Sequence, residues 1–167
     1  MGQGYKFSCK NCGAEYVIDT GVGVKYPEIY ADLKSRVAEG RYGEEWKETL
    51  AQNKYYAIDA ERYLYRCENC NFWECGPDMS IYEPIDVEEL LDDKYGNKTV
   101  REWGYLPYAL GRTLRKQFKL LKKRVHTCER CGQEMHRISQ RNVSRVIPIC
   151  LECGSKLEKE PGSILWS

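Results

Sequence analysis

An α+β fold built from small, internally tied modules is the class this sequence predicts, and three observations carry the prediction. Eight of the nine cysteines fall into four Cys-x-x-Cys pairs, the first two set among short strand-like segments. An insertion patterned as two helices separates the first two pairs. A basic amphipathic segment then leads into the third pair. The chain of 167 residues has room for one ordinary domain or two small ones, which excludes a large multidomain enzyme. With 42% hydrophobic and 31% charged residues and a mean hydropathy of −0.66, it reads as a soluble folded protein. No apolar run approaches the roughly 18 residues of a spanning helix. No apolar stretch precedes Cys9, and Lys6 stands where an N-myristoylation signal wants Ser or Thr. A cytoplasmic location with no membrane partner is the expectation.

The cysteine pairs are Cys9/Cys12, Cys67/Cys70, Cys128/Cys131 and Cys150/Cys153. An odd cysteine count in a chain without a secretory signal opposes a disulfide framework. Each Cys-x-x-Cys turn aims two sulfurs at one point, and two turns complete the tetrahedral shell of a Zn²⁺ ion, so two structural ions are expected. The turn leaves the residue after its second cysteine left-handed, where Gly or, less often, Asn is accommodated. Gly13, Gly132 and Gly154 occupy that place in three pairs and Asn71 in the fourth. A glycine there opposes a helix start, and with it a redox dithiol. Iron on four thiolates is not separable from zinc by sequence.

The third and fourth pairs lie 18 residues apart, a spacing typical of one four-cysteine site, whereas 54 residues separate the first and second. Consecutive combination is favoured because neighbouring elements usually connect locally. Crossed combination, with Cys9/Cys12 joining a C-terminal pair, stays open. Cys75 reads as a small buried hydrophobe, and His126 and His136 are unneeded as ligands where four thiolates are present.

These paired turns resemble the zinc-ribbon class, in which two hairpins clasp one ion. The resemblance covers residues 5–18 with 61–82, and residues 124–167. The whole chain, with its opening Met-Gly-Gln-Gly-Tyr and the segments Glu-Glu-Trp-Lys and Glu-Trp-Gly-Tyr-Leu-Pro-Tyr, resembles an uncharacterised bacterial family of double-ribbon proteins. The resemblance implies fold and metal and brings no activity with it.

The remaining elements follow from pattern. Strands are expected at 5–8, 14–18, 63–66 and 71–74. Ile29, Leu33 and Val37 recur after Pro27 as in a short helix, and Trp46 and Leu50 mark the inner face of another over 44–53. The pair is expected to pack as a helical hairpin on the first ribbon. Residues 76–84 read as a linker, and Asp86 with Glu89 opens a helix over 87–94. Gly96-Asn97 makes a turn, and the aromatic stretch from Trp103 to Tyr108 is expected to seal the modules together. A helix is predicted from Pro107 to Val125, because Leu110, Leu114, Phe118, Leu121 and Val125 share an arc of about 80°. Three segments result: an N-terminal ribbon with helical insertion (1–84), a linker with aromatics (85–106), and the basic helix with the C-terminal ribbon (107–167).

The net charge of +1 hides a division. Residues 1–111 carry 13 basic and 20 acidic side chains, and residues 112–145 carry 11 and 2. Eight thiolates and two divalent ions bring the loaded protein to about −3, so its basic character is local. A basic face beside a ribbon fits DNA or RNA phosphates, with Arg112, Arg115, Lys116, Lys119, Lys122 and Lys123 on the helix and Arg137, Arg141 and Arg145 on the ribbon. A protein partner, with the chain as adaptor, regulator or inhibitor, is the competing reading, since the acidic half opposes polyanions. Catalysis is not expected. Four-sulfur sites are closed, and the chain has two histidines and lacks His-Glu-x-x-His, Gly-x-Ser-x-Gly and phosphate-loop motifs. No small-molecule substrate is inferred.

Overall fold

A computed structural model describes residues 2–143, 145–146 and 148–162, the side chain of Gln140 excepted. Met1 of the opening segment, and residues 144, 147 and 163–167 of the predicted C-terminal ribbon, lie outside the described residues. The architecture is mixed α+β, as expected. In chain order, the first half comprises strands β1 (Gln3–Ser8) and β2 (Glu15–Thr20), helices α1 (Tyr26–Ala38) and α2 (Glu44–Ala51), and strands β3 (Ala57–Ile58), β4 (Arg62–Arg66), β5 (Trp73–Pro77) and β6 (Ile81–Pro84). The second half comprises α3 (Val87–Leu91), β7 (Lys94–Tyr95), β8 (Lys98–Thr99), α4 (Val100–Trp103), α5 (Gly111–Gln117), β9 (Phe118–Lys122), β10 (His136–Ile138), α6 (Gln140–Val143) and β11 (Glu158–Lys159). No helix among the described residues is long and apolar enough to cross a membrane.

Contacts divide the chain into two compact units that interleave in sequence, unlike the three consecutive segments expected. The first unit takes residues 1–24, 61–77 and 125–167, and the second takes 25–60 and 78–124.

The first unit holds two three-stranded antiparallel sheets, ordered β11-β1-β2 and β10-β4-β5. Each couples an N-terminal hairpin to a short C-terminal strand: Phe7 stands opposite Lys159, and Tyr65 opposite Arg137. Alternation along β1 turns Tyr5 and Phe7 inward, where they join Ile18, Leu64, Trp73, Val143 and Leu157. A second cluster gathers Tyr63, Tyr65, Phe72 and Met135, and Leu151 packs against both. Trp73 donates from its indole N–H to the Ile149 carbonyl at 2.7 Å, which satisfies its polar atom.

The second unit packs α1 and α2 with the sheet β3-β6-β9. Helix α1 starts with Pro27 in its first turn and buries Tyr26, Tyr30, Leu33 and Val37. Ile29, counted for that face from its spacing, is only half-buried, because the neighbouring tyrosines take the inward positions. Trp46 and Leu50 of α2 are buried as expected, and the Trp46 indole donates to the Met79 carbonyl at 2.7 Å. The buried Tyr30 hydroxyl accepts from the Ile58 amide at 3.2 Å, and burial pushes its phenol above the usual range. Asp86 caps α3 by accepting from the amides of Glu88 and Glu89, although the helix ends at Leu91 rather than 94. Gly96-Asn97 joins β7 to β8, and Thr99 with Glu102 forms a reciprocal capping box at α4.

Two larger expectations fail in this unit. Residues 81–84, assigned to a linker, form the central strand β6, because Ile81 is fully buried opposite Ile58 on one side and Lys122 on the other. The helix expected over 107–125 starts only at Gly111 and stops at Gln117. From Phe118, at φ −129° and ψ 152°, the chain is extended and pairs with β6, Phe118 opposite Pro84 and Lys119 opposite Glu83. Neighbouring strand edges supply backbone partners that the heptad-like spacing could not foresee, and the ladder overrides helical periodicity. Leu120, Leu121 and Val125 are accordingly 52%, 38% and 51% exposed rather than aligned on a buried stripe. The aromatic stretch packs within this unit: the Leu106 amide reaches the Lys54 carbonyl, and Tyr108 stands edge-on to Tyr26 and Tyr95.

Candidate metal centres

All four Cys-x-x-Cys turns fold alike. The first cysteine's amide donates to the carbonyl five residues on (Cys9 to Ala14, Cys67 to Phe72, Cys128 to Gln133, Cys150 to Ser155) at 2.7–2.9 Å. The amide four residues after that cysteine, at Gly13, Asn71, Gly132 or Gly154, returns to its carbonyl. Closing the turn this way holds the returning residue left-handed, at φ 77°, 59°, 73° and 74°. The rule that placed Gly or Asn there is borne out at every pair.

The turns meet in two groups: Cys9, Cys12, Cys150 and Cys153, and Cys67, Cys70, Cys128 and Cys131, the sulfurs of each group lying within 4.8 Å of one another. The favoured consecutive combination is therefore overturned, and the crossed one is what the fold adopts, with the outer pairs joined around the inner ones. The physical reason is strand pairing. Strand β11 adds to β1 and carries the fourth turn to the first, while β10 adds to β4 and carries the third turn to the second. The 18-residue spacing that joined the last two pairs reflects how short the intervening segments are.

The geometry of each group fits a metal. Cross-turn sulfur pairs lie at 3.4–3.5 Å (Cys9 with Cys153, Cys12 with Cys150, Cys67 with Cys131, Cys70 with Cys128). Disulfides need about 2.05 Å. Four thiolates at about 2.3 Å around one tetrahedral ion stand about 3.8 Å apart, so little movement is needed to receive one. The first cysteine of every pair is buried. Cys12 and Cys153 of the outer group are exposed, whereas Cys70 and Cys131 of the inner group are half-buried.

Hydrogen bonding prepares some sulfurs for ionisation. Asn11 and then Ser155 bond Cys153 and draw its thiol down to about 5. The Gln133 amide, then the Asn69 side chain, draws Cys131 down to about 6. The Tyr16 hydroxyl, 3.4 Å from the Cys150 sulfur, lowers that thiol too. Cys12 and Cys70 are pushed up to about 12: bonds from the amides of Ala14 and Phe72 favour their thiolates but are outweighed, at Cys12 first by the Cys150 sulfur and at Cys70 first by desolvation and then by the Cys128 sulfur. Four thiolates in so small a volume need a cation to ionise together. Asn11, Asn69, Tyr16 and Ser155 were not singled out from sequence. The shared Cys-x-Asn-Cys form of the first two pairs was the available signal for the asparagines.

His126 and His136 belong to neither group, and His126 stacks on Tyr65 with ring centroids 3.8 Å apart. Cys75 packs beside the first core, and burial pushes its thiol up to about 11.

The basic residues nominated from sequence are split between the units. Arg112, Arg115 and Lys116 are exposed on α5, spaced to share a face, and form no ion pair among the described residues. Lys119 pairs with Glu83 at 3.1 Å, and Lys122 pairs with Glu45 while its ammonium lies over the Trp46 ring. Lys123 is exposed beyond β9. Arg137 lies over the Tyr63 ring, 4.4 Å from its centroid, and Arg141 and Arg145 are exposed. Against known proteins, the chain matches no family model, no curated protein and no solved structure, so its reading rests on these residues.

Proposed function

We propose that the chain is a non-catalytic zinc protein of the zinc-ribbon type, with both tetrads holding structural Zn²⁺ and α5 with its flanks binding the phosphates of DNA or RNA. Soft thiolate donors in a tetrahedral set suit zinc, and a shell of four cysteines leaves no open position for substrate or water. The single observation that carries the nucleic-acid reading is the exposed trio Arg112, Arg115 and Lys116, which forms no ion pair among the described residues. It opens a stretch, residues 112–124, with seven basic side chains and no acidic one. Guanidinium forks on adjacent turns of one helix can hold successive phosphates. Lys119 and Lys122 contribute less, being engaged with Glu83 and Glu45.

Exposed Leu120 and Leu121 on β9, an edge strand of its sheet, favour a protein partner as the second reading. The test is a salt titration of binding to a mixed-sequence DNA duplex and to single-stranded RNA. Binding should weaken steeply with salt, and Arg112→Glu, Arg115→Glu and Lys116→Glu together should abolish it at moderate salt. No binding at low salt, or an unaffected triple variant, overturns the nucleic-acid reading.

A further inference from the structure

We propose that the cavity between α1 and α2 binds a small organic anion with an apolar body, its acid group met by the wall lysines and its body laid on Leu50, Ala38, Ala51 and Tyr105. The cavity measures about 570 Å³ and lies wholly within the second unit. That volume falls in the usual range of small-molecule sites. Its wall joins the Lys34, Ser35 and Ala38 side of α1 to the Lys47, Leu50 and Ala51 side of α2, with Lys54 and Tyr105 completing it.

Its charge is one-sided. Three lysines line it and no carboxylate does. Lys47 is satisfied by Glu44 at 2.8 Å. Lys34 and Lys54 form no ion pair among the described residues; their ammoniums lie 5.9 Å from the Tyr30 ring centroid and 5.1 Å from that of Tyr55. An aromatic face is a weak counter-charge for an ammonium. Lys34 is also half-buried, and its desolvation lowers its pKa, which a bound anion would reverse. The apolar floor and an ammonium lacking a carboxylate describe together a ligand with an acid head and a hydrocarbon or aryl body. Tyr105, 47% exposed, offers such a body a ring to cover. This inference is independent of the nucleic-acid reading, since none of its residues belongs to the α5 trio.

The experiment is calorimetric titration of the full chain with decanoate and 2-naphthoate, beside decanol and decylamine, with amide chemical shifts locating the site. Saturable binding of the acids is expected, at least about tenfold tighter than the alcohol and amine, with shifts concentrated on α1 and α2. Lys34→Gln with Lys54→Gln should weaken the acids by about tenfold or more. Ala38→Trp, which fills the cavity from an exposed position, should abolish binding without altering the amide spectrum elsewhere. Arg112→Glu should leave it unchanged. Equal binding of acid and alcohol, shifts away from α1 and α2, or no saturable binding overturns the proposal.

Discussion

The two units obtain their cores by opposite routes. In the first, short strands and four sulfur-bearing turns surround two aromatic-rich clusters, and four of its buried apolar positions are cysteines, Cys9, Cys67, Cys128 and Cys150. In the second, Tyr30, Val37, Ile58, Ile81, Leu90, Val100 and Leu106 bury almost completely, and neither cysteine group among the described residues lies in this unit. The first unit is expected to need metal to fold, because thiols left without an ion are a poor substitute for hydrophobic mass. An oil-centred unit does not. The contrast also separates the placement of chemistry: tetrads in one, the exposed α5 trio and the α1–α2 cavity in the other.

Metal removal should break the comparison open most widely. A structural zinc ion can contribute on the order of 10–16 kcal/mol at neutral pH. Under a strong chelator, or in Cys128→Ser or Cys150→Ser, amide exchange protection should collapse across 62–66 and 73–76, while the amides of Val37 and Ile81 stay protected. Protection of β4 surviving full metal loss would contradict the metal-centred description.

The reverse experiment is smaller. Ile81→Ala removes a fully buried side chain from the central strand of the second unit and should cost about 2–5 kcal/mol by denaturant titration, leaving metal content unchanged. Loss of bound metal in that variant would mean that the units do not divide stability as described.

How much of this was legible in the sequence follows the same divide. The turns were readable residue by residue, because a left-handed position after the second cysteine is a local demand that Gly13, Asn71, Gly132 and Gly154 meet visibly. Which turns share an ion was not, because that choice is made by β11 on β1 and β10 on β4, two short pairings between residues far apart in the chain. In the second unit, Trp46 and Leu50 announced α2 by spacing alone. The stretch after Gln117 misled, because Phe118, Leu121 and Val125 hold helical spacing while an open strand edge at β6 offers hydrogen bonds to an extended chain. Asn11 and Asn69, which bond sulfurs of the partner turns, became meaningful only once those partners were known. Lys34 and Lys47 of the α1–α2 cavity lay on helices read only for their buried faces.

The finest distinction concerns β9. Glu83 and Lys119 stand directly opposite and pair at 3.1 Å only if residues 118–122 are a strand. A double-mutant cycle on Glu83→Gln and Lys119→Met should return a coupling of about 0.3–1 kcal/mol that shrinks in salt. Zero coupling at low salt would contradict the direct pairing of Glu83 with Lys119.

Cysteine partnership is tested most directly by cadmium substitution with NMR, since scalar couplings between the bound metal and cysteine β-protons report which sulfurs share an ion. Two cadmium resonances are predicted, one coupled to Cys9, Cys12, Cys150 and Cys153 and the other to Cys67, Cys70, Cys128 and Cys131. Couplings that join Cys9 and Cys12 to Cys67 and Cys70 through one ion, or a folded chain that takes up no metal, would contradict it.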